Sequence, residues 1–181
     1  MNNTFITSDT FFGREGIIKK AKRPFKNIDE MNEVLVNNWN SVVTDDDTVY
    51  HLGNFAWNPI VANDILPRLN GKIIFMLGEY DNAIIDIHEY YGDVEVVNDQ
   101  ILREPDLKSV FCHWPLESWA GKQKGIFHFH GNTLTRLKTD LSLMNRVNVC
   151  TDNWSFTPQR ICDLYSVFDD WKNSSKKTQK K

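Results

Sequence analysis

The chain has 181 residues, a formal net charge of −3 and 41% hydrophobic residues, which suits one folded domain. The longest strongly apolar run, residues 73–77, is too short to cross a membrane, and the polar amino terminus lacks the features of a signal peptide. Cys112, Cys150 and Cys162 form no CxxC pair, which argues against a disulfide framework and favours a cytoplasmic location.

The positive charge is concentrated at the carboxyl terminus. Five lysines lie in residues 172–181, and removing them takes the formal net charge from −3 to −8. We therefore predict a single domain over residues 1–171, followed by a lysine-rich disordered tail. An acidic body repels phosphate backbones, so we do not expect a nucleic-acid partner.

The first half of the chain alternates strand and helix patterns. Strands are predicted at residues 4–8, 48–52 and 72–77, and helices at 14–22, 28–42 and from Pro59 to about residue 69. Asn27 is a predicted N-cap, with Glu30 three residues later as in a capping box. This βαβαβ order predicts a mostly parallel sheet.

The second half contains shorter elements. A helix is predicted at 84–91, strands at 94–97, 100–103, 109–112, 125–130 and 146–149, and a closing helix at 158–171. We expect these strands to form a second sheet, mixed or antiparallel, packed on the first.

Polar residues follow each of the first three strands. Asp9, Asn54 and residues 78–81 come directly after them. Because ligands collect at the carboxyl ends of strands in open α/β sheets, Asp9 is a candidate metal ligand or base. The alternative is an ordinary turn or N-cap aspartate.

The order of these segments resembles the calcineurin-like metallophosphoesterases, above all their small single-domain bacterial and phage members. The resemblance covers about residues 4–158. It rests on Asp9-Thr10-Phe11-Phe12-Gly13-Arg14, Gly53-Asn54-Phe55, Gly78-Glu79-Tyr80-Asp81, Cys112-His113-Trp114-Pro115, His128-Phe129-His130-Gly131-Asn132-Thr133-Leu134 and Asn148-Val149-Cys150-Thr151-Asp152. It implies a four-layer αββα sandwich, with two facing mixed sheets flanked by helices and the site at the strand ends between them.

The resemblance also implies seven side chains that hold two metal ions, and this sequence departs from that set. Only Asp9 and His113 match the family. The other five positions hold Phe11, Asn54 (the bridging aspartate in the family), Glu79, Asn132 and Leu134, and Tyr80 replaces the family's catalytic histidine. A neutral amide is a poor bridge between two cations, and tyrosine is a poorer proton donor than histidine at neutral pH.

The hypothesis that follows is a pseudoenzyme with no cofactor, which keeps the fold and acts as a binding or regulatory protein. The alternative is an impaired metal-dependent phosphodiesterase with one Mn²⁺, Zn²⁺ or Fe²⁺ held by Asp9, Glu79 and His113, with weaker help from Asn54 and Asn132. His128 and His130 are interpreted as structural.

A protein is the expected partner, and a bacteriophage origin, with a host protein as target in the host cytoplasm, would suit such a role. Phe11, Trp114 and Trp119 are predicted to line the cleft, the two tryptophans as candidates for stacking on a ligand or anchoring a partner. A third hypothesis is a nucleotide or phosphate ligand bound without turnover, because the guanidinium of Arg14 pairs well with phosphate.

Overall fold

The computed structural model describes residues 3–91, 94–134 and 145–166, and the side chains of residues 87–91 are not described. The predicted lysine-rich tail and residues 167–171 of the predicted closing helix lie outside these ranges. Within them, no helix is long and apolar enough to span a membrane.

The fold is mixed α/β. Its elements are β1 (Thr4–Thr7), α1 (Glu15–Ala21), α2 (Ile28–Val42), β2 (Thr48–His51), α3 (Pro59–Ile65), β3 (Lys72–Met76), α4 (Asn82–Tyr91), β4 (Glu95–Val97), β5 (Ile101–Glu104), β6 (Ser109–Cys112), β7 (Phe127–His130), β8 (Arg146–Asn148) and β9 (Gln159–Arg160). Short 3₁₀ turns lie at Leu66–Arg68, Lys122–Lys124 and Thr151–Asn153, and residues 161–166 are helical.

The first sheet has the strand order β4-β3-β2-β1-β9. β1 to β4 are parallel, and β9 pairs antiparallel with β1. The parallel βαβαβ core agrees with the sequence prediction. Two assignments were wrong: residues 94–97 join this sheet rather than the second one, and the predicted helix at 158–171 begins only after β9. Strands of two or three residues are too short to carry a periodic pattern.

The second sheet has the order β5-β6-β7-β8 and is mixed, because β5 is antiparallel to β6 while β6, β7 and β8 are parallel. The two sheets face each other across one apolar cluster, in which Ile6 and Leu52 of the first sheet pack with Phe111 and Phe129 of the second. The prediction of two facing mixed sheets is therefore confirmed.

The helices cover the other face of the first sheet. Phe5, Val49 and Phe75 of that face pack in a second cluster with Leu35 and Trp39 of α2. The amide N–H of Glu30 donates to the Asn27 side chain at 2.8 Å, so the predicted N-cap of α2 is confirmed. A helical layer on the outer face of the second sheet stays a prediction. In the described residues, Leu116 and Trp119 of the loop between β6 and β7 pack on His128 of that sheet.

Candidate functional site

Polar residues that follow strands of both sheets meet at one end of the molecule. β1, β2 and β3 are parallel, as are β6, β7 and β8, and the segments after β1 and β8 pair in parallel at Ser8 and Cys150. The carboxyl ends of all six strands therefore lie at the same end. Asp9 follows β1, Asn54 lies three residues after β2, His113 follows β6 and Asn132 lies two residues after β7. Asp9, Asn54 and His113 are each only 1% exposed. Asp9 and Asn54, which follow neighbouring strands, meet here as expected, and Asn54 also contacts His113 from the second sheet.

The side chain of Asn54 joins Asp9 to His113. Its Nδ2 donates to Asp9 Oδ1 at 2.8 Å and lies 3.2 Å from His113 Nε2. On the other side of the imidazole, Nδ1 lies 2.5 Å from the carbonyl oxygen of Leu52, which can only accept. Nδ1 therefore carries the proton, and Nε2 accepts the second N–H of Asn54. The amide oxygen accepts from the backbone N–H of Tyr80 at 3.1 Å, so every polar atom of Asn54's side chain is used.

Asp9 accepts two further hydrogen bonds. Its Oδ2 receives the hydroxyl of Ser8 at 2.8 Å and the backbone N–H of Asn132 at 2.7 Å. Burial raises the pKa of the Asp9 carboxyl, while the neighbouring His113 and the hydrogen bonds from Asn54, Ser8 and Asn132 act in the opposite direction. Both oxygens of this buried carboxylate therefore accept hydrogen bonds within the protein.

A second buried carboxylate fixes the backbone of this site. Asp81 Oδ2 accepts the backbone N–H groups of Asn54 and Gly78, both at 2.6 Å, and Oδ1 accepts that of Phe55 at 2.8 Å. The loops after β2 and β3 are thereby tied together. Sequence reasoning gave Asp81 no role of its own.

Arg23 holds the loop after β1 from the opposite side. It donates to the carbonyl oxygens of Asp9, at 2.6 Å, and Thr10, at 2.8 Å. It also forms a fully buried, bidentate ion pair with Asp152, with N–O distances of 2.9 and 2.7 Å. The sequence analysis gave Arg23 no role, because Asp152 lies 129 positions away along the chain.

The backbone itself is unusual at the site. Ten non-glycine residues in the described part of the chain have positive φ. Five of them are Asp9 (57°), Phe11 (53°), Asn54 (61°), Asn132 (62°) and Leu134 (49°), which are five of the seven positions that the resemblance assigns to metal ligands. Asn and Asp tolerate this conformation, but for Phe and Leu it costs about 1–2 kcal/mol each.

Two glycines leave no room for a side chain beside the network. A Cβ on Gly78 would lie 2.8 Å from Asn54 Oδ1 and 2.9 Å from His113 Nε2. A Cβ on Gly131 would overlap the Ser8 hydroxyl and lie 2.7 Å from Asp9 Oδ2. The backbone of both loops therefore packs directly on the polar side chains.

The residues present do not fit the two-ion centre that the resemblance implies. Phe11 and Leu134 are buried in the apolar cluster under the helices, and the amide of Asn54 lies between the two matching ligands. The side chain of Glu79 is exposed. In the described ranges, no three His, Cys, Asp or Glu side chains are grouped so that they could hold a metal ion, so Asp9, Glu79 and His113 are not assembled as a site.

An arginine and three aromatic rings lie beside this network. The Arg14 guanidinium carbon is 4.8 Å from the ring centroid of Phe11, 4.8 Å from that of Trp57 and 4.2 Å from that of Tyr80. We call these four residues the Arg14 cluster. The structure thus brings together the predicted Phe11, Arg14 and Tyr80, and adds Trp57, which the sequence analysis missed because its loop gives no pattern.

The two tryptophans predicted to line the cleft have different environments. Trp114 is half-buried, with its ring edge-on to that of His113 at 5.0 Å. Trp119 is buried, donates to the carbonyl oxygen of Ile126 and packs on His128. In this structure Trp119 therefore packs on the second sheet, and its role in stacking on a ligand stays a prediction. His128 itself accepts from the backbone N–H of Leu116, in line with its predicted structural role.

Comparison with known proteins supports the fold without supplying a function. No protein-family model matches the sequence. A segment of 84 residues is 43% identical to the uncharacterized protein MJ1445 of Methanocaldococcus jannaschii, and it spans 45% of this chain and 48% of that protein. The match thus covers about half the length of that relative.

A solved structure is similar over nearly the whole chain. The protein of unknown function AQ665 from Aquifex aeolicus superimposes with a TM-score of 0.69 at 20% identity, covering 92% of this chain and 100% of that one. At this identity the similarity concerns the fold alone. Function must therefore be argued from the site.

Proposed function

We propose that this chain is a catalytically silent relative of the calcineurin-like metallophosphoesterases, which has kept their scaffold and acts as a binding or regulatory protein. The observation that carries the proposal is the amide of Asn54, which donates to both Asp9 and His113. In the implied family site a carboxylate at this position would bridge two cations. Here the neutral donor satisfies both remaining ligands directly.

The backbone at the substituted positions supports the same proposal. Left-handed φ at Phe11 and Leu134 is costly and gains nothing for an apolar side chain. Such strain is expected where a backbone conformation once oriented metal-binding side chains toward a site. The surrounding structure still imposes that conformation. The glycines packed on Asp9 and His113 belong to the same inherited geometry.

The alternative function is a metal-dependent phosphodiesterase with a mononuclear site. It is favoured by the contact that Asp9 and His113 share through Asn54, since two of the implied ligands remain together. It would require Glu79 to turn inward from its exposed position and Asn54 to release both partners.

Turnover of a generic substrate separates the two proposals. The purified chain is incubated with bis(p-nitrophenyl) phosphate and Mn²⁺ or Zn²⁺, and release of nitrophenol is followed. We expect a rate equal to that of His113→Ala and of buffer with metal alone. Metal-dependent turnover that is lost in both Asp9→Asn and His113→Ala would contradict the binding-protein proposal and favour the mononuclear enzyme.

A further inference from the structure

The Arg14 cluster contains a cation that has no anionic partner among the described residues. In the described part of the chain, no ion pair and no side-chain hydrogen bond includes the Arg14 guanidinium, and its Nη1 is buried without a hydrogen-bond partner. Its position is set by the rings of Phe11, Trp57 and Tyr80. Stacking on rings holds a guanidinium but leaves its charge unneutralised, so the cluster is complementary to a carboxylate or phosphate.

Exposed apolar side chains extend outward from this cation. Trp57 is 50% exposed, Ile60 81% and Tyr80 37%, and the rings of Trp57 and Tyr80 lie 6.3 Å apart. The loop that carries Arg14 packs on the first turn of α3, because a Cβ on Gly13 would lie 2.6 Å from Val61. Arg14, Trp57 and Tyr80 are in mutual contact, and Ile60 lies next to Val61 on the turn of α3 that packs on Gly13. We call Arg14, Trp57, Ile60 and Tyr80 the Arg14 surface.

The residue types and the extent of this surface indicate a protein partner. Trp, Tyr and Arg are the residues that contribute most often to binding energy at protein interfaces, and here one of each is in mutual contact. A small anion could pair with Arg14 but would leave Ile60 uncovered. Because the rings already hold the guanidinium, Arg14 would lose little side-chain entropy when a partner binds.

We infer that the Arg14 surface binds a protein segment that presents an aspartate or glutamate flanked by apolar side chains. The carboxylate pairs with Arg14, and the apolar neighbours cover Trp57, Tyr80 and Ile60. The inference rests on the proposed binding function and names the chemistry of the partner.

A phage-displayed library of random peptides tests it. The full-length chain is used to select binders, which are synthesised and measured by fluorescence polarisation. We expect sequences with an acidic residue between apolar ones, whose affinity falls by more than about tenfold with Arg14→Ala or Trp57→Ala. Arg14→Glu should instead select basic peptides, since it reverses the charge at the centre of the surface.

Matched controls keep the result interpretable. Arg160→Ala removes an exposed arginine on β9, and Ile101→Ser removes a 47% exposed isoleucine on β5. Both should leave peptide affinity unchanged. If Arg14→Ala fails to fold, as judged by circular dichroism, Ile60→Asp takes its place, because that side chain is too exposed to contribute to the core.

Two outcomes would overturn the inference. The selection could yield peptides without an acidic residue, or peptides that bind Arg14→Ala as well as the native chain. Either result would mean that the surface does not bind a carboxylate through Arg14. Thermal stabilisation by AMP that Arg14→Ala abolishes, without selection of acidic peptides, would assign the cluster to a small phosphate ligand. Neither outcome bears on turnover, so the proposed function stands or falls separately.

Discussion

Replacing Asn54 by aspartate removes the two hydrogen bonds that Asn54 donates to Asp9 and His113, at 2.8 and 3.2 Å. A lost hydrogen bond to a charged group costs about 1.5–3 kcal/mol. The new carboxylate would also lie against Asp9 in a buried site, where two charges about 4 Å apart repel by ~4 kcal/mol at an effective dielectric constant of ~20. Uptake of one proton by the pair relieves part of this repulsion. We therefore expect Asn54→Asp to lose about 3–5 kcal/mol of unfolding free energy at about pH 8.

Urea denaturation in EDTA measures this loss, with thermal unfolding as a second readout in which it corresponds to a decrease of roughly 6–20 °C. The difference in unfolding free energy between the variant and the native chain should be smaller near pH 5.5, because one of the two carboxyls is then protonated. The exposed Asn63→Asp makes the same chemical change away from the site and should cost less than ~0.5 kcal/mol. A loss below ~1 kcal/mol that does not vary with pH would refute the assignment of Asn54 as the shared donor.

Two further predictions concern stability. Burial lowers the pKa of His51 to about 3 and those of His128 and His130 to about 4, so below pH ~6.5 the unfolded chain binds protons that the folded chain does not. Each histidine then lowers the unfolding free energy by about 1.4 kcal/mol for every pH unit below that value. As the pH is lowered, circular dichroism should show cooperative unfolding before about pH 4 is reached. A chain still fully folded at that pH would contradict the burial of these rings. Arg23→Ala should cost about 3–5 kcal/mol in urea denaturation, whereas Arg68→Ala, whose ion pairs are exposed, should cost under ~1 kcal/mol; equal losses would mean that the buried pair does not anchor the site loop.

The sequence predicted the parts of the fold that have strong local patterns. The parallel core β1-β2-β3 and the capped helix α2 followed from alternation, helical spacing and the Asn27–Glu30 pair. Convergence of Asp9 and Asn54 also followed, because carboxyl ends of parallel strands meet at one edge. His113 follows a strand of the other sheet, so only the resemblance placed it at the same site. The placement of β4 and β9 did not, since pairing partners of such short strands are decided by tertiary contacts.

The side chains around the site were harder to predict. Glu79 follows a strand as Asp9 does, yet its side chain is exposed, because the orientation of a loop residue depends on the turn and not on the pattern. The sequence could not distinguish the environments of Trp57 and Trp119. Trp57 is partly exposed and stacks on Arg14, whereas Trp119 is buried against His128. Loop geometry decides these cases.

The most direct test of the account is the metal content of the purified chain. The protein is incubated with Mn²⁺ and Zn²⁺, desalted and analysed for bound ions per chain. A positive control restores the family's side chains in one variant, with Phe11→His, Asn54→Asp, Glu79→Asn, Asn132→His and Leu134→His. If the hydrogen bonds of Asn54 have taken the place of metal ions on a retained backbone, the native chain will bind close to no metal. The restored variant will then bind metal ions. Two ions per native chain would contradict the account outright, and one would favour the mononuclear enzyme over the binding protein.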